Sequence, residues 1–534
     1  MDGDDFMKRI AFLFTRKLLS QFPSYNGALP QAPQSGVAAL LFARKLLSQF
    51  PSRNGCVAPK PPQSGVAALL LLFIIGLTAC NRMEYIEEYV KCIIDEYENQ
   101  EKKSINIRVA INTTGFTGLV HDSVTITSTS YFIVRDGTQV QTFPANYHFT
   151  INNNDVWESD YLHISTSHNH KLEISSIQRN WQNQRSPQYR GIIEITRHNA
   201  NGGFIIVNEL DLEEYLYAVV PSEMPTSHGL EAAKVQAVTA RSFVYHLYNE
   251  NRFHAFGAHV DDSVNSQVYN NIPETELSII AVRATRGQVL MYDGAVVMAN
   301  FFSTSGGTTA NFGEVWARGS YFPSITPSFL RATSQFCLMG ELPGDLRLEK
   351  YANAFFRDTN IRGFDSDFPW FRWQVQMSVN ELSERINANI SRITNPTMVT
   401  IIEGNSNSIG VLQNMEVVRR GQGGNIMEIL LIGSDATVSI KTEFNIRMIL
   451  APLDIPVIRH DGSEVLGLAL MPSAFFSIEL EGEDPLQYIT FFGGGNGHGV
   501  GMSQNGAKAL INMGLSYREV LLHYYHGVEI GFIY

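Results

Sequence analysis

The segment from Asp211 to Val244 constrains the fold of this chain most strongly, because it predicts two consecutive helices joined at one acidic residue. It reads DLEEYLYAVVPSEMPTSHGLEAAKVQAVTARSFV. Asp211 has the character of an N-cap, and Glu214 three residues later would complete a capping box. We expect the first helix to run from there to about Val219.

Glu223 lies at the predicted junction of the two helices, between Pro221 and Pro225. A carboxylate held at such a junction is well placed for acid–base catalysis, because its position is fixed. The alternative is that Glu223 only caps or solvates a helix end, where acidic side chains are favoured. The local pattern leaves both interpretations open.

The second helix of this segment carries an apolar stripe, which predicts one core-facing side. Lys234 and Arg241 are seven residues apart and share another face, near Glu223 if that face turns toward a cleft. A solvated surface cation is the alternative role for Arg241. The stripe consists of Leu230, Ala233, Ala237, Ala240 and Val244.

A glycine-rich loop near the C-terminus is the second informative feature. In the segment Phe491–Tyr525, six glycines surround His498, and Ser503 and Gln504 follow. Glycine permits positive φ and close approach of backbone to a ligand, so this loop could line a groove with backbone donors. The alternative is a tight turn between a strand and a helix, in which His498 only makes hydrogen bonds. The spacing does not fit GxGxxG, which argues against a dinucleotide site.

These two segments together resemble the stage II sporulation protein D family, which includes the SpoIID/LytB and amidase enhancer proteins. Five motifs occur in the family's order, and the resemblance covers roughly residues 105–534. They are VVPSEMP (Val219–Pro225), EAAKVQAVTARSF (Glu231–Phe243), SQVY (Ser266–Tyr269), STSGGTT (Ser303–Thr309) and GHGVGMSQNGA (Gly497–Ala507).

The resemblance implies an α+β fold, with β-rich mixed sheets and a helical active-site segment beside a cleft. It also implies a peptidoglycan lytic transglycosylase acting on denuded glycan strands, while other members activate a cell-wall amidase. Glu223 would be the catalytic acid, and Arg241 would orient it or stabilise charge. No cofactor is implied.

Further residues are implied to line the sugar groove because they match family motifs. They are Lys234, Gln236, Ser303, Ser305, Gly306, Gly307, His498, Gly499, Ser503 and Gln504. A serine nucleophile in the STSGGTT loop is a rival interpretation, but it requires a histidine and an acidic partner, and no GxSxG elbow occurs. A metal hydrolase would need ligand spacing such as HExxH, which the sequence lacks.

The composition fits a large protein that does not bind nucleic acid. Its 534 residues allow two or three domains, and 44% of them are hydrophobic. The net charge of −12 argues against nucleic-acid binding, which usually requires a basic stripe. The four cysteines are scattered and define neither a zinc site nor a disulfide framework. They are Cys56, Cys80, Cys92 and Cys337.

An apolar run near the N-terminus predicts export and lipid attachment. The segment Gly65–Cys80 follows Arg53 and Lys60, and it ends in Leu-Thr-Ala-Cys, which resembles the bacterial lipoprotein box. Cys80 would be acylated, become the mature N-terminus and anchor the protein to a membrane, facing outward from the cytoplasm. An uncleaved signal anchor is the alternative, although the run is short for a membrane span.

We divide the chain into three parts. Residues 1–80 form a leader and signal peptide, in which Arg16–Phe42 recurs as Arg44–Phe73, either as a duplicated leader or as a spurious extension. Residues 81–104 predict a polar helical spacer. Residues 105–534 form the catalytic region, with short alternating strands, a hairpin at Asp293-Gly294 and a variable middle at about 319–490.

The loop from His254 to Tyr269 predicts the absence of a structural zinc site. The resemblance implies that some members bind zinc here through one histidine and two cysteines. His254 matches the histidine, but Val260 and Ser266 stand at the cysteine positions. Three neighbouring residues could regroup around a metal, but adjacent aspartates in a loop more often make turn hydrogen bonds. They are His259, Asp261 and Asp262.

Overall fold

The computed structural model describes residues 104–179, 184–198, 202–250, 252–336, 344–404, 408–482 and 485–534. In these ranges the chain forms an α+β fold with several separate sheets, which confirms the predicted fold class. The leader, residues 81–103 of the predicted spacer and all four cysteines lie outside the described residues. The helices of the described ranges are too short or too polar to cross a membrane.

Nine α-helices occur in the described residues. They are α1 (Leu212–Glu223), α2 (Leu230–Tyr248), α3 (Glu276–Ala284), α4 (Phe312–Val315), α5 (Glu349–Arg357), α6 (Val379–Asn389), α7 (Glu443–Ile449), α8 (Gln504–Asn512) and α9 (Tyr517–Tyr524).

Two sheets share the first hydrophobic core with α1, α2 and α3. The larger has seven strands, antiparallel except for the first pair, in the spatial order Val260–Asp261, Asn106–Ala110, Phe204–Asp211, Ile192–Arg197, Tyr161–Thr166, Phe132–Asp136 and Gln139–Phe143. The smaller has four strands, in the order Phe149–Ile151, Val124–Ser128, Leu172–Ile174 and Gln188–Tyr189. Their strands alternate apolar and polar residues, as expected for sheets with one buried face.

Two further sheets share a second core with α6 and α7. The first has five strands, in the order Glu464–Val465, Val457–Arg459, Trp373–Ser378, Tyr488–Gly493 and Phe476–Glu481. The second has four, in the order Val399–Glu403, Thr437–Lys441, Ile426–Gly433 and Leu412–Arg420.

Three small sheets complete the described strands. One has three strands, Ala295–Val296, Gln288–Tyr292 and Glu529–Phe532. Its first turn confirms the predicted hairpin, since Asp293 and Gly294 both have positive φ, 49° and 76°. Two strand pairs, Phe301–Phe302 with Met502–Ser503 and Thr304–Ser305 with Gly495–Asn496, join the STSGGTT segment to the glycine-rich loop.

Helix α1 brings Glu223 to its last position and passes through a proline on the way. Asp211 caps it as predicted, accepting from the N–H groups of Glu213 and Glu214, but the capping box is not formed, because the Glu214 carboxylate lies 3.4 Å from Arg190 instead. The N–H that Pro221 lacks would have bonded to the carbonyl of Tyr217. The hydroxyl of Ser278 donates to that carbonyl at 2.8 Å, and α1 continues about four residues beyond the predicted end.

Helix α2 is buried on every side, which differs from the single apolar face predicted. All residues from 232 to 244 are buried. Ala233, Ala237 and Ala240 pack into the first core, whereas Val235 and Val238 pack into a third core that also contains α8 and α9. The polar residues of α2 are therefore interior residues that require hydrogen-bond partners.

Candidate active site around Glu223

Glu223 is held at both its main chain and its side chain by segments distant in sequence. The N–H of Val268 donates to Oε1 of Glu223 at 2.6 Å. Nε2 of Gln504 donates to the backbone carbonyl of Glu223 at 2.9 Å, which satisfies one of the carbonyls left open at the end of α1. The Glu223 side chain is partly exposed. One carboxyl oxygen is thus fixed by a backbone donor, while the carboxyl group stays accessible to a ligand.

The electrostatic setting of Glu223 favours its protonated form. Burial raises the pKa of this carboxyl from 4.5 to about 7, although the hydrogen bond from Val268 lowers it in part. No charged group contributes to this change in pKa. A carboxyl group that titrates near neutral pH can donate a proton and take one back, so the acid–base interpretation now has a physical basis.

Gln504 also connects Glu223 to α2. Its Nε2 lies 3.3 Å from Oε1 of Gln236, which is fully buried. Lys234, two residues earlier, is buried as well and pairs with Glu231 at 2.9 Å. Gln504 therefore supports the main chain of Glu223 from the interior, and Gln236 contacts Gln504 there, rather than either residue forming the wall of a groove.

The loop that supplies Val268 is fixed by a buried ion pair. Asp262 accepts from Arg179 at 2.6 Å, and the backbone N–H and Nδ2 of Asn112 each donate to it at 2.8 Å. The carbonyl of Asp262 accepts from the N–H of Tyr269 at 3.1 Å. This carboxylate holds the loop through hydrogen bonds, as the adjacent aspartates suggested.

Two other candidate zinc ligands, Asp261 and His259, also have protein partners. Asp261 accepts from Ser263 at 2.5 Å. Nδ1 of His259 accepts from the N–H of Arg108 at 3.0 Å. Within the described ranges, no three histidine, cysteine or acidic side chains come together as metal ligands.

Arg241 does not reach Glu223, so its predicted role at that carboxylate is corrected. Its Nε and Nη2 donate to the two carboxylate oxygens of Glu213 at 2.9 and 2.6 Å. Its remaining donors go to the carbonyls of Ala237, Gln288 and Val282. All five guanidinium donors are used inside the protein, because α2 carries Arg241 into the core. Arg241 is a structural residue joining α2 to α1.

Asp365 organises the second half of the site and was missed from the sequence. Ser305 donates to it from its N–H at 2.9 Å and from its hydroxyl at 2.8 Å, and the hydroxyl of Ser503 makes a very short hydrogen bond to it. Burial raises the pKa of Asp365 to about 6. No motif surrounds Asp365, and only its three-dimensional position indicates its role.

These contacts also argue against a serine nucleophile in the STSGGTT loop. Ser305 and Ser503 are buried and donate directly to Asp365, with no histidine between hydroxyl and carboxylate. Such an arrangement stabilises the loops but does not activate a hydroxyl. Ser503 additionally caps α8 by accepting from the N–H of Gly506, so its neighbour Gln504 is aimed at Glu223.

The glycines of the two loops serve close packing rather than ligand approach. A Cβ on Gly306 would lie 2.7 Å from the backbone of Gly494, and Gly307 is equally enclosed by Phe336 and Phe355. A Cβ on Gly499 would lie 2.5 Å from the ring of Phe475. The predicted placement of Gly306, Gly307 and Gly499 on a sugar groove is therefore corrected.

His498 fits the tight-turn interpretation of the glycine-rich loop. Its Nδ1 accepts from the N–H of Val500 at 3.0 Å, and a second hydrogen bond involves the backbone of Phe301. Its ring lies 4.9 Å from that of Trp316. Burial lowers the pKa of His498 to about 3, so the imidazole is neutral. Both ring nitrogens are occupied, which leaves only ring carbon atoms for a sugar.

The predicted groove residues consequently divide by accessibility. Glu223, Ser303 and His498 are partly exposed. The others are buried, which limits their contact with a large ligand and corrects their assignment as groove walls. They are Lys234, Gln236, Ser305, Gly306, Gly307, Gly499, Ser503 and Gln504.

Comparison with known proteins agrees with this geometry. A sequence model described as Stage II sporulation protein matches residues 200–292, the interval that contains both Glu223 and Val268. The chain is 28% identical to Stage II sporulation protein D of Bacillus amyloliquefaciens, over 61% of this chain and 75% of that protein. It is 31% identical to the Bacillus subtilis protein of the same name, over 62% of that protein. These matches support the resemblance to the stage II sporulation protein D family.

Other matches extend beyond this core of the family. The chain is 26% identical to the protein named Amidase enhancer in Bacillus subtilis, and it spans 40% of the length of that relative. A second sequence model, a domain of unknown function (DUF8618), matches residues 310–501. This interval contains Asp365 and His498, so the family segment and the second segment each supply part of the site.

Proposed function

We propose that this protein acts on the cell wall as a lytic transglycosylase, with Glu223 as its single acid and base. Protonated Glu223 donates to the glycosidic oxygen between N-acetylmuramic acid and N-acetylglucosamine, and the bond from that oxygen to C1 breaks. The carboxylate then accepts the proton of the muramoyl 6-hydroxyl, whose oxygen bonds to C1. The product is a 1,6-anhydro end, and no water is consumed.

The observation that carries this proposal is a partly exposed carboxyl with a pKa of about 7 and one oxygen fixed by a backbone N–H. Glycoside hydrolases generally use a second carboxylate, either to activate water or to bind the sugar covalently. No charged neighbour contributes to the pKa of Glu223. A substrate that brings its own nucleophile requires only one such group, which favours transglycosylation over hydrolysis.

The direct test compares the folded Glu223→Gln variant with the wild type on purified denuded glycan strands. Acid–base assistance accelerates reactions by about 10²- to 10⁴-fold, so strand cleavage should fall by at least that range. Mass spectrometry of the wild-type products should show 1,6-anhydromuramoyl ends and no ¹⁸O when the reaction runs in H₂¹⁸O. Label at the new reducing ends would instead identify a hydrolase, and undiminished turnover of the variant would remove Glu223 from the mechanism.

A second candidate function is activation of a cell-wall amidase without catalysis by this chain. The relative named Amidase enhancer motivates it. The same variant separates the two functions, because Glu223→Gln keeps the shape and hydrogen-bonding capacity of the site. An activator should stimulate an amidase equally well with glutamine at 223, whereas a transglycosylase should lose turnover.

We also propose that the protein is a lipoprotein on the outer face of the membrane, on the basis of the Leu-Thr-Ala-Cys sequence that ends at Cys80. Cys80 should carry the lipid. Metabolic labelling with a fatty acid should label the wild type, and Cys80→Ser should yield a larger, unlabelled precursor. Normal maturation of the serine variant would contradict this localisation.

A further inference from the structure

An open hollow lies on the four-stranded sheet of the first core, which contains Val124–Ser128 and Leu172–Ile174. Neither Glu223 nor its hydrogen-bond partners line this hollow. Its volume is about 400 Å³, within the range of about 300–1,000 Å³ for small-molecule sites. Such sites are usually lined by apolar side chains, but the residues that line this one are all polar. They are Thr127, Ser128, Thr129, Asn146, His148, Asn169, His170, Lys171, Glu173 and Gln188.

Hydroxyl and amide groups dominate the hollow. Thr127 and Ser128 form its buried floor, while Thr129, Asn146 and Gln188 are exposed at its rim. Oγ1 of Thr127 has no hydrogen-bond partner among the described residues. Hydroxyl and carboxamide groups both donate and accept hydrogen bonds. A ligand that matches this lining carries many groups of the same kind.

The charged groups of the hollow, Lys171 and Glu173, already have polar partners. Lys171 lies 2.7 Å from Glu274, and Glu173 accepts from Nε2 of Gln188 at 3.0 Å. A phosphate-bearing ligand would require cations that are not neutralised by neighbouring carboxylates. His148 and His170 also line the hollow, but no three metal ligands come together in the described part of the chain. The lining therefore suits an uncharged, hydroxyl-rich and amide-rich ligand.

A smaller hollow adjoins the first and shares Lys171 and Gln188 with it. In it, Arg190 pairs with Glu274 at 2.6 Å. Arg185 instead donates to the carbonyl and side-chain oxygens of Asn270 at 2.6 and 3.0 Å, and makes no ion pair with any described residue. Burial lowers the pKa of Arg185, and the positive charge of Arg179 adds to this, although the carboxylate of Glu173 raises the pKa in part. An anionic group placed here would meet a partly desolvated cation.

We propose that the two hollows form a saccharide-binding site separate from the reaction centre. The first takes an N-acetylated sugar through the hydroxyl and amide groups of its lining. The second takes a carboxylate substituent of the same strand at Arg185. This combination matches an amino-sugar strand in which some rings carry a carboxylate.

The second hollow lies beside α1, the helix that ends at Glu223. Ala218 of α1 lines it, and Glu223 is five residues further along the same helix, about 7–8 Å at 1.5 Å per residue. A strand several sugars long could therefore be bound in the two hollows while it is cleaved at Glu223. This last step rests on the proposed function, but the existence of the binding site does not.

The test measures binding in the full-length chain carrying Glu223→Gln, so that cleavage plays no part. The probes are the tetramer of N-acetylglucosamine, which is neutral, and a strand of equal length that contains muramic acid. Hydrogen–deuterium exchange should show that both protect segments 124–130 and 169–173. A Gln188→Leu variant should bind both probes about fivefold more weakly, the usual effect of losing one hydrogen bond. An Arg185→Gln variant should weaken only the muramic acid strand, by about tenfold.

Matched substitutions at exposed strand positions outside the hollows serve as controls. Gln141→Leu and Arg135→Gln make the same chemical changes and should bind both probes as the parent does. Absence of protection in these segments at saturating concentrations of both probes would overturn the site, even if a variant fails to fold. Unchanged affinity of Arg185→Gln for the muramic acid strand would overturn the placement of the carboxylate. Binding without strand cleavage by the wild type would refute the proposed function alone.

Discussion

Replacement of Glu223 by glutamine should stabilise the fold at neutral and alkaline pH while it removes activity. In the folded protein, burial raises the pKa of Glu223 to about 7, whereas the unfolded chain should have the ordinary value of 4.5. The folded state therefore binds this proton more tightly than the unfolded state does. The resulting stabilisation is complete below pH 4.5, declines as the pH rises toward 7 and is absent above it.

The size of this effect follows from the two pKa values. The difference between 4.5 and about 7, at about 1.4 kcal/mol for each tenfold change in proton affinity, amounts to about 3 kcal/mol. Glutamine has nearly the same shape and no charge to desolvate. The free energy of unfolding of Glu223→Gln, relative to wild type, should thus increase by about 3 kcal/mol between pH 4.5 and pH 8.

Urea denaturation of both proteins across this pH range is the appropriate assay, with the midpoint and slope fitted at each pH. Glu250→Gln, at a side chain that is 42% exposed at the end of α2, controls for the loss of one negative charge. The reasoning would be refuted if the wild-type and Glu223→Gln stabilities ran parallel with pH. That result would mean that burial does not raise the pKa of Glu223, so the carboxyl would already be deprotonated near pH 7.

Three further outcomes are expected. The kcat/KM for strand cleavage should decline above pH about 7, because the protonated acid is lost there, and a rate that stays constant to pH 9 would contradict Glu223 as the acid. Arg241→Ala should lower the free energy of unfolding by about 3–5 kcal/mol, because it leaves Glu213 unpaired. Turnover per folded molecule at low temperature should nevertheless persist. Normal stability together with lost turnover would restore a direct catalytic role for Arg241. Elemental analysis of protein purified without added metal should find no stoichiometric zinc, and zinc together with loss of activity on chelation would reinstate His254 and His259 as ligands.

Local signals predicted local structure well. The cap at Asp211, the helix junction at Glu223 and the Asp293-Gly294 turn each depend on a few neighbouring residues, and the structure has all three. The end of α1 was predicted too early, at about Val219, whereas the helix passes through Pro221 and ends at Glu223. Ser278 compensates for the missing hydrogen bond from 61 residues away, and no local pattern contains that information.

Partnerships between distant residues could not be predicted in this way. Arg241 was assigned to Glu223 because the family resemblance implied it, but α2 is enclosed by two cores and turns Arg241 toward Glu213. Periodicity reports which residues share a face of a helix, and it does not report whether that face is itself covered. Val268 was missed for a different reason, since it acts through its backbone N–H and its side-chain type is immaterial.

The position and the acidity of Glu223 have separate structural causes. Gln504, 281 residues away, fixes the main chain of Glu223, and Val268, 45 residues away, fixes one carboxyl oxygen. The hydrogen bond from Val268 alone would lower the pKa, so the enclosure of the site must outweigh it. Orientation is therefore achieved through a contact that opposes the required rise in pKa, and burial raises the pKa in spite of that contact. This arrangement makes the carboxyl sensitive to solvent entry, because any motion that admits water lowers its pKa while the hydrogen bonds that position it remain intact.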